Sequence, residues 1–230
     1  MDTLAQFWPP FALNITAAAG ERKVILRVVR DDDLVEMSNV NEADIYGPEL
    51  PPYAFCWLNA PYPERVAASF QFRWNNRAQL KPESWSLDFV ARDAETGEVI
   101  GGMDIRATNF AENRTAETGS WVLYKHQGLG YGSLIRHALI QLAFDVFGAL
   151  RVETGWHEGN TASARVSEKL GYSVFLTDRT SPVYDGSLQP VIGAALSPDA
   201  YRRSDVTVTI DGVRPELAVM LGFAPAEPEH

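Results

Sequence analysis

Gln127-Gly-Leu-Gly-Tyr-Gly-Ser133 stands between two segments of opposite character. Before it, Thr118-Gly-Ser-Trp-Val-Leu-Tyr124 has the aromatic and β-branched content of a strand. After it, Leu134, Ala138, Leu139, Leu142, Val146 and Phe147 fall on one face of a helix running from Ser133 to Phe147. Glycines at such a strand-to-helix turn let the backbone bend sharply and approach a ligand closely. The exposed N–H groups and the helix N-terminus then form an anion site. A phosphorylated compound is the natural occupant.

Downstream, Arg151–His157 reads as a strand, and Thr161–Leu170 as a second helix capped by Asn160 and stopped by Gly171. Tyr172–Leu176 and Val191–Leu196 read as closing strands. Asp205-Val-Thr-Val-Thr-Ile210 alternates strictly, and Asp211-Gly212 predicts a hairpin turn. The end, from Ala224 to His230, reads as frayed. Upstream, Trp85–Ala91 and Val99–Ile105 form a hairpin through the turn Glu95-Thr-Gly-Glu98, followed by a loop at 107–115. A helix runs from Glu64 to about Leu80, with Val66, Phe70 and Trp74 at i+4 spacing. Residues 47–63 are broken by prolines. Asp31-Asp-Asp33 offers caps to a helix from Leu34, Val24–Val29 is a strand, and the first 20 residues read as an arm. This order predicts an α/β (α+β) fold with a mixed sheet flanked by helices. The expected divisions are an arm at 1–21, one domain at 22–203 and a strand extension with a tail at 204–230.

Three phosphate-binding readings fit the glycine loop, beside that of a plain tight turn. A P-loop needs Gly-Lys-Ser/Thr at its end, and no lysine follows Gly132. A dinucleotide loop needs G-x-G-x-x-G, and here the third glycine comes one residue early. That loop also follows the first strand of a βαβ unit, whereas here an antiparallel hairpin precedes it. The third reading is Gln127-x-x-Gly130-x-Gly132, which resembles the coenzyme A pyrophosphate loop of the GNAT superfamily. Asn160-Thr-Ala-Ser163-Ala-Arg-Val-Ser-Glu168-Lys-Leu-Gly171-Tyr172 resembles that superfamily's N-x-x-S…E-K-L-G-F/Y segment. One helix and one strand fit between the two elements. The resemblance spans about 22–196, is sharp over 117–173, and points to the branch of the ribosomal-protein alanine acetyltransferases.

That resemblance implies a centrally splayed sheet with the pantetheine of acetyl-CoA, or of another acyl-CoA such as succinyl-CoA, lying in the gap. It implies that backbone amides at Trp121, Val122 and Leu123 bond the pantetheine and polarise the thioester carbonyl. The loop Gln127, Gly128, Leu129, Gly130, Tyr131, Gly132 and Ser133 would hold the pyrophosphate. Asn160 would cap its helix and contact the pantetheine. An amine would attack the thioester directly, without an acyl-enzyme, so positioning supplies much of the rate. Ser163 is the expected proton donor to the leaving thiolate. Many members place a tyrosine seven residues after the asparagine, and here that position is Ser167. Tyr172 reads as a packing residue. Glu117 is the expected base, with Asp104, His157 and Glu158 as other candidates.

The chain has 230 residues and a net charge of −10, which disfavours nucleic acid as a partner and suits an amine acceptor. That acceptor would be a protein N-terminus, a lysine or a small molecule. A succinyl donor would need a basic partner, for which Arg73 and Arg77 are candidates. The single cysteine, Cys56, lies among aromatics as a packing residue, and the histidines at 126, 137, 157 and 230 form no metal pattern. No metal is expected. No apolar run is long enough for a membrane span and no signal peptide is evident, so a cytoplasmic protein is expected. The strand at 205–210 would either extend a sheet edge or pair with a second subunit as a homodimer. The alternative function is a non-catalytic acyl-CoA sensor or interaction module on the same fold.

Overall fold

The computed structural model describes residues 3–224. The chain opens with a short helix α1 (Thr3–Phe7) and a 3₁₀ turn at Pro9–Ala12, then forms strands β1 (Asn14–Ala19) and β2 (Arg22–Val28). Helices α2 (Asp31–Ser38), α3 (Glu42–Tyr46) and α4 (Tyr62–Ala78) follow. The central strands are β3 (Ser84–Asp93), β4 (Val99–Thr108) and, after a one-turn α5 (Phe110–Asn113), β5 (Thr115–Val122). Next come α6 (Tyr131–Gln141), prolonged by a π turn at Leu142–Val146, then β6 (Arg151–His157) and α7 (Thr161–Leu170). The chain ends with β7 (Ser173–Phe175), β8 (Thr180–Pro182), β9 (Leu188–Leu196), β10 (Thr207–Asp211) and α8 (Pro215–Leu221).

The strands join in one sheet in the order β10-β1-β2-β3-β4-β5-β6-β9-β7, with β8 on β9. Every pairing is antiparallel except β5 with β6. That parallel pair holds only from Thr115–Glu117 against Arg151–Glu153, and beyond it the two strands diverge. The sheet is therefore mixed and splayed at its centre. Alternation along the strands sorts the side chains. Leu87, Phe89, Met103, Ile105, Ala116 and Val152 pack with Leu134, Ile135, Ala138 and Leu139 of α6 in the main core. The opposite face carries α2 and α4, with a smaller cluster of Leu34, Met37, Val90 and Val99.

The reading of the first 20 residues as an arm is corrected. Residues 14–19 form β1, which pairs with β2 on one side and β10 on the other. Asn14-Ile-Thr-Ala-Ala-Ala19 is alanine-rich, a composition depleted in strands, so its extended form comes from its two neighbours and from the buried Ile15 and Ala17. Asp211-Gly212 makes no hairpin. Gly212 adopts φ +78°, and the chain turns into α8, which has a proline at its first position. Leu217, Ala218 and Leu221 of α8 join the main core, and the Trp85 indole N–H donates to the Leu221 carbonyl at 2.8 Å. The strand at 205–210 thus extends the sheet edge of its own chain. The frayed end read at 224–230 lies, apart from Ala224, outside the described residues.

Candidate functional site

The divergence of β5 and β6 creates a wedge. Its narrow end is fixed where the Thr154 hydroxyl donates to the Thr118 carbonyl at 3.1 Å. Its wide end faces the loop before α6 and the start of α7. Strand alternation decides which backbone groups enter it. The Leu123 N–H donates to the Ile100 carbonyl at 2.9 Å, so odd-numbered residues of β5 turn their amides toward β4. The N–H groups of Ser120 and Val122 face the wedge instead. Of the three amides expected to bond a pantetheine, the Val122 amide is open to it. Those of Trp121 and Leu123 turn to β4, and the Ser120 amide, which the sequence reading did not name, also faces the wedge. The Trp121 side chain lies on the other face, over Gly102, where a Cβ would sit 2.7 Å from its indole nitrogen.

The glycine loop closes the wide end. Gly128 and Gly130 both hold positive φ, +73° and +89°, and Gly130 is the residue from which α6 starts. Any side chain there would be strained. The first-turn N–H groups of Tyr131, Gly132 and Ser133 lack intrahelical acceptors by helix geometry, and the dipole adds positive potential. Arg22, at the start of β2, donates to the Leu129 carbonyl at 2.6 Å. It brings a guanidinium to this loop from 107 residues away, a distance at which spacing gives no signal. The Gln127 amide donates to the Ile45 carbonyl at 2.7 Å and the Val122 carbonyl at 2.8 Å, tying α3 to the end of β5. Beside it a cleft of about 630 Å³ opens between Tyr46, Glu49, Tyr53 and Tyr124.

At the start of α7, the Ser163 N–H donates to the Asn160 side-chain oxygen at 3.1 Å. Asn160 caps the helix, and Gly171 ends it at φ +98°. Ser163 is half-buried, in the first turn of α7. Ser167, one turn further, is buried and its hydroxyl has no partner.

The face opposite α6 carries charge. Arg106 of β4 binds both the Asp104 carboxylate and Glu117, the latter at 2.8 Å. Arg179 reaches Glu117 from the far side at 2.9 Å. Glu117 is therefore held by two guanidiniums. Asp104 lies over Gly119, where an added Cβ would be 2.7 Å from its Oδ1, so it sits next to the Ser120 amide. Burial raises the Asp104 carboxyl above its ordinary value, with Arg106 opposing. Burial lowers the Arg73 guanidinium, with Asp88 and Asp104 opposing. Arg77 is taken by Asp31 at 2.6 Å and the Val29 carbonyl at 2.8 Å. His157, at the end of β6, contacts the Pro190 carbonyl through Nδ1 and the Ser181 hydroxyl through Nε2. Glu158 is exposed in the turn before Asn160. Among the described residues no cluster of His, Cys, Asp or Glu could hold a metal ion, and no helix is long and apolar enough to cross a membrane.

Residues 23–173 match the family model described as acetyltransferase (GNAT) domain. Solved structures align over most of the chain. One is Mycobacterium smegmatis RimJ in complex with CoA-disulfide, 21% identical, covering 84% of this chain and 89% of that one at a TM-score of 0.66. Another is spermidine N-acetyltransferase from Vibrio cholerae in complex with CoA and spermine, at 16% identity, 77% and 97% coverage and a TM-score of 0.57. A third is ribosomal-protein-S5-alanine acetyltransferase from Vibrio fischeri, at 16% identity, 81% and 98% coverage and a TM-score of 0.57. At these identities the structures speak for the fold, and the match over 23–173 assigns the family: the chain belongs to the GNAT acetyltransferases.

Proposed function

We propose that this GNAT-family chain is an acyl-CoA-dependent N-acyltransferase that moves an acyl group from coenzyme A to a primary amine by direct attack. The observation that carries the reading is the wedge between β5 and β6, open to the Ser120 and Val122 amides and closed at its wide end by the glycine loop. The solved relatives with coenzyme A bound support the choice of donor.

In this reading Gly128–Ser133 and Arg22 hold the pyrophosphate, and the pantetheine runs down β5 into the wedge. The Ser120 amide is aimed at the thioester carbonyl, where negative charge develops. The amine enters from the face bearing Asp104 and Glu117. Its nitrogen forms the C–N bond as the C–S bond breaks, and the thiolate leaves. Asp104 is the better-placed proton acceptor, being beside Gly119 and raised by burial. Glu117, paired with Arg106 and Arg179, is better suited to positioning a cationic acceptor than to accepting its proton. Ser163 remains the proposed donor to the thiolate. The acceptor class extends from small polyamines to a protein's alanine, since the relatives named above are a spermidine and a ribosomal-protein-S5-alanine acetyltransferase.

A second reading is a coenzyme A-binding sensor without turnover. It is favoured by Ser167, which leaves no tyrosine acid at that position. Calorimetric titration with coenzyme A and acetyl-CoA, on wild type and Gly130→Glu, tests the shared site. Micromolar binding that Gly130→Glu abolishes supports it, and no binding to folded wild type overturns it. Thiol release with spermidine or an N-terminal alanine peptide then separates the enzyme from the sensor.

A further inference from the structure

Arg136 of α6 is 4% exposed. It lies at the narrow end of the wedge, donating to the Thr154 hydroxyl at 3.2 Å and the Ser120 hydroxyl at 3.4 Å. Those two residues stand on the two diverging strands. Among the described residues no carboxylate comes within salt-bridge distance of it, because Glu117 and Glu153 project from the opposite face of the sheet. Its Nε has no partner. Burial pushes the neighbouring Tyr172 hydroxyl above its ordinary value, with Arg136 and Thr118 opposing. A buried cation with no counter-charge, among hydroxyls two of which only half satisfy it, is a costly arrangement for a folded chain.

We infer that Arg136, with the hydroxyls of Ser120, Thr154 and Tyr172, is an anion subsite at the end of the acyl channel, and that the donor taken there is a short dicarboxylic acid carried as its mono-thioester. The inference rests on the acyl-CoA reading. If the pyrophosphate is bound at the wide end by the glycine loop, the pantetheine must point its acyl end toward the narrow end, where Arg136 lies. A planar guanidinium with hydroxyls on either side matches a carboxylate. The transfer step is unchanged: the C–S bond breaks, the C–N bond forms, and the distal carboxylate takes no part. The amide product carries a new terminal acid. The arginines considered from sequence do not serve this role, since Arg77 is paired with Asp31 and Arg73 faces Asp88 and Asp104 on the other side.

The test compares coenzyme A, acetyl-CoA, butyryl-CoA and succinyl-CoA by calorimetry and by kcat/KM with one amine. Butyryl and succinyl have the same chain length and differ in the terminal charge. Wild type should prefer succinyl-CoA over butyryl-CoA by about tenfold or more. Arg136→Met should erase or reverse that preference, and Arg136→Lys should keep part of it. Coenzyme A binding that persists without a succinyl preference in wild type overturns this inference alone. A preference that survives in folded Arg136→Met does the same. Failure of every coenzyme A species to bind overturns the acyltransferase reading and this inference together. If Arg136→Met does not fold, the wild-type comparison and Arg136→Lys still decide.

Discussion

Asp104 and Glu117 are two carboxylates on neighbouring strands, and their partners separate their roles. Glu117 sits between Arg106 and Arg179, while Asp104 shares Arg106 and is raised by burial. With Asp104 as base, Asp104→Asn should lower kcat by roughly 10²–10⁴-fold with little change in acyl-CoA affinity. The acidic limb of the wild-type pH–rate profile should lie above the ordinary carboxylate range, because the group must be ionised to act and its value is raised. Stopped thiol-release assays from pH 4 to 9 check both, and a kcat unchanged in Asp104→Asn would move the role elsewhere. At this scale part of the candidate site was legible in the sequence. Gln127, Gly130, Gly132, Asn160 and Ser163 are close together in the chain and carry a recognisable spacing. Arg22 and Arg136 carry none: one arrives from a distant hairpin, and the other hides inside an apolar helical face between Ile135 and Ala138, where a lone arginine reads as a solvated residue.

Elements with strong end signals were readable to the residue, and those without were not. β6 and α7 fall at the predicted bounds because Asn160 and Gly171 mark a start and a stop that the backbone needs. α3 and α8 are too short for a periodic pattern to show. β1 was missed because its conformation is imposed by its neighbours. The cap on α7 has a measurable weight. Asn160→Ala should lower stability by about 1 kcal/mol in urea unfolding, and it should also weaken acyl-CoA binding because Ser163 loses its fixed backbone. α8 contributes through packing: Leu221 is fully buried, so Leu221→Ala should cost about 2–5 kcal/mol, read as a shift of the unfolding midpoint without a change in slope.

Across the molecule, the sheet and the buried polar groups set the conditions under which the fold holds. A chain ending at Ser204 would lose β10 and α8, expose the edge of β1 and uncover Trp85 and Phe147, and it should be recovered aggregated or unfolded by circular dichroism. His137 adds a dependence on acidity. It is buried against the Tyr201 hydroxyl at 2.6 Å and the Ser204 hydroxyl at 3.0 Å. Burial lowers it from 6.5 to about 4. Between those values the unfolded chain binds a proton that the folded chain does not, so stability should fall as pH drops from 6.5 toward 4. His137→Phe should flatten that slope in thermal melts taken across the window. The mixed sheet was legible beforehand, because a hairpin followed by strand–helix–strand–helix admits few sheet orders, and its central splay was implied only by the family resemblance.

The pairing of β1 with β10 joins the first strand of the chain to the last. During synthesis, β1 stays without one of its two neighbours until β10 has left the ribosome. The growing chain therefore carries β1 as an open edge while the residues between the two strands are made, and β10 covers that edge when it arrives. Binding of a chaperone to that edge, or a pause before β10 is made, should govern yield more than the stability of the finished fold does.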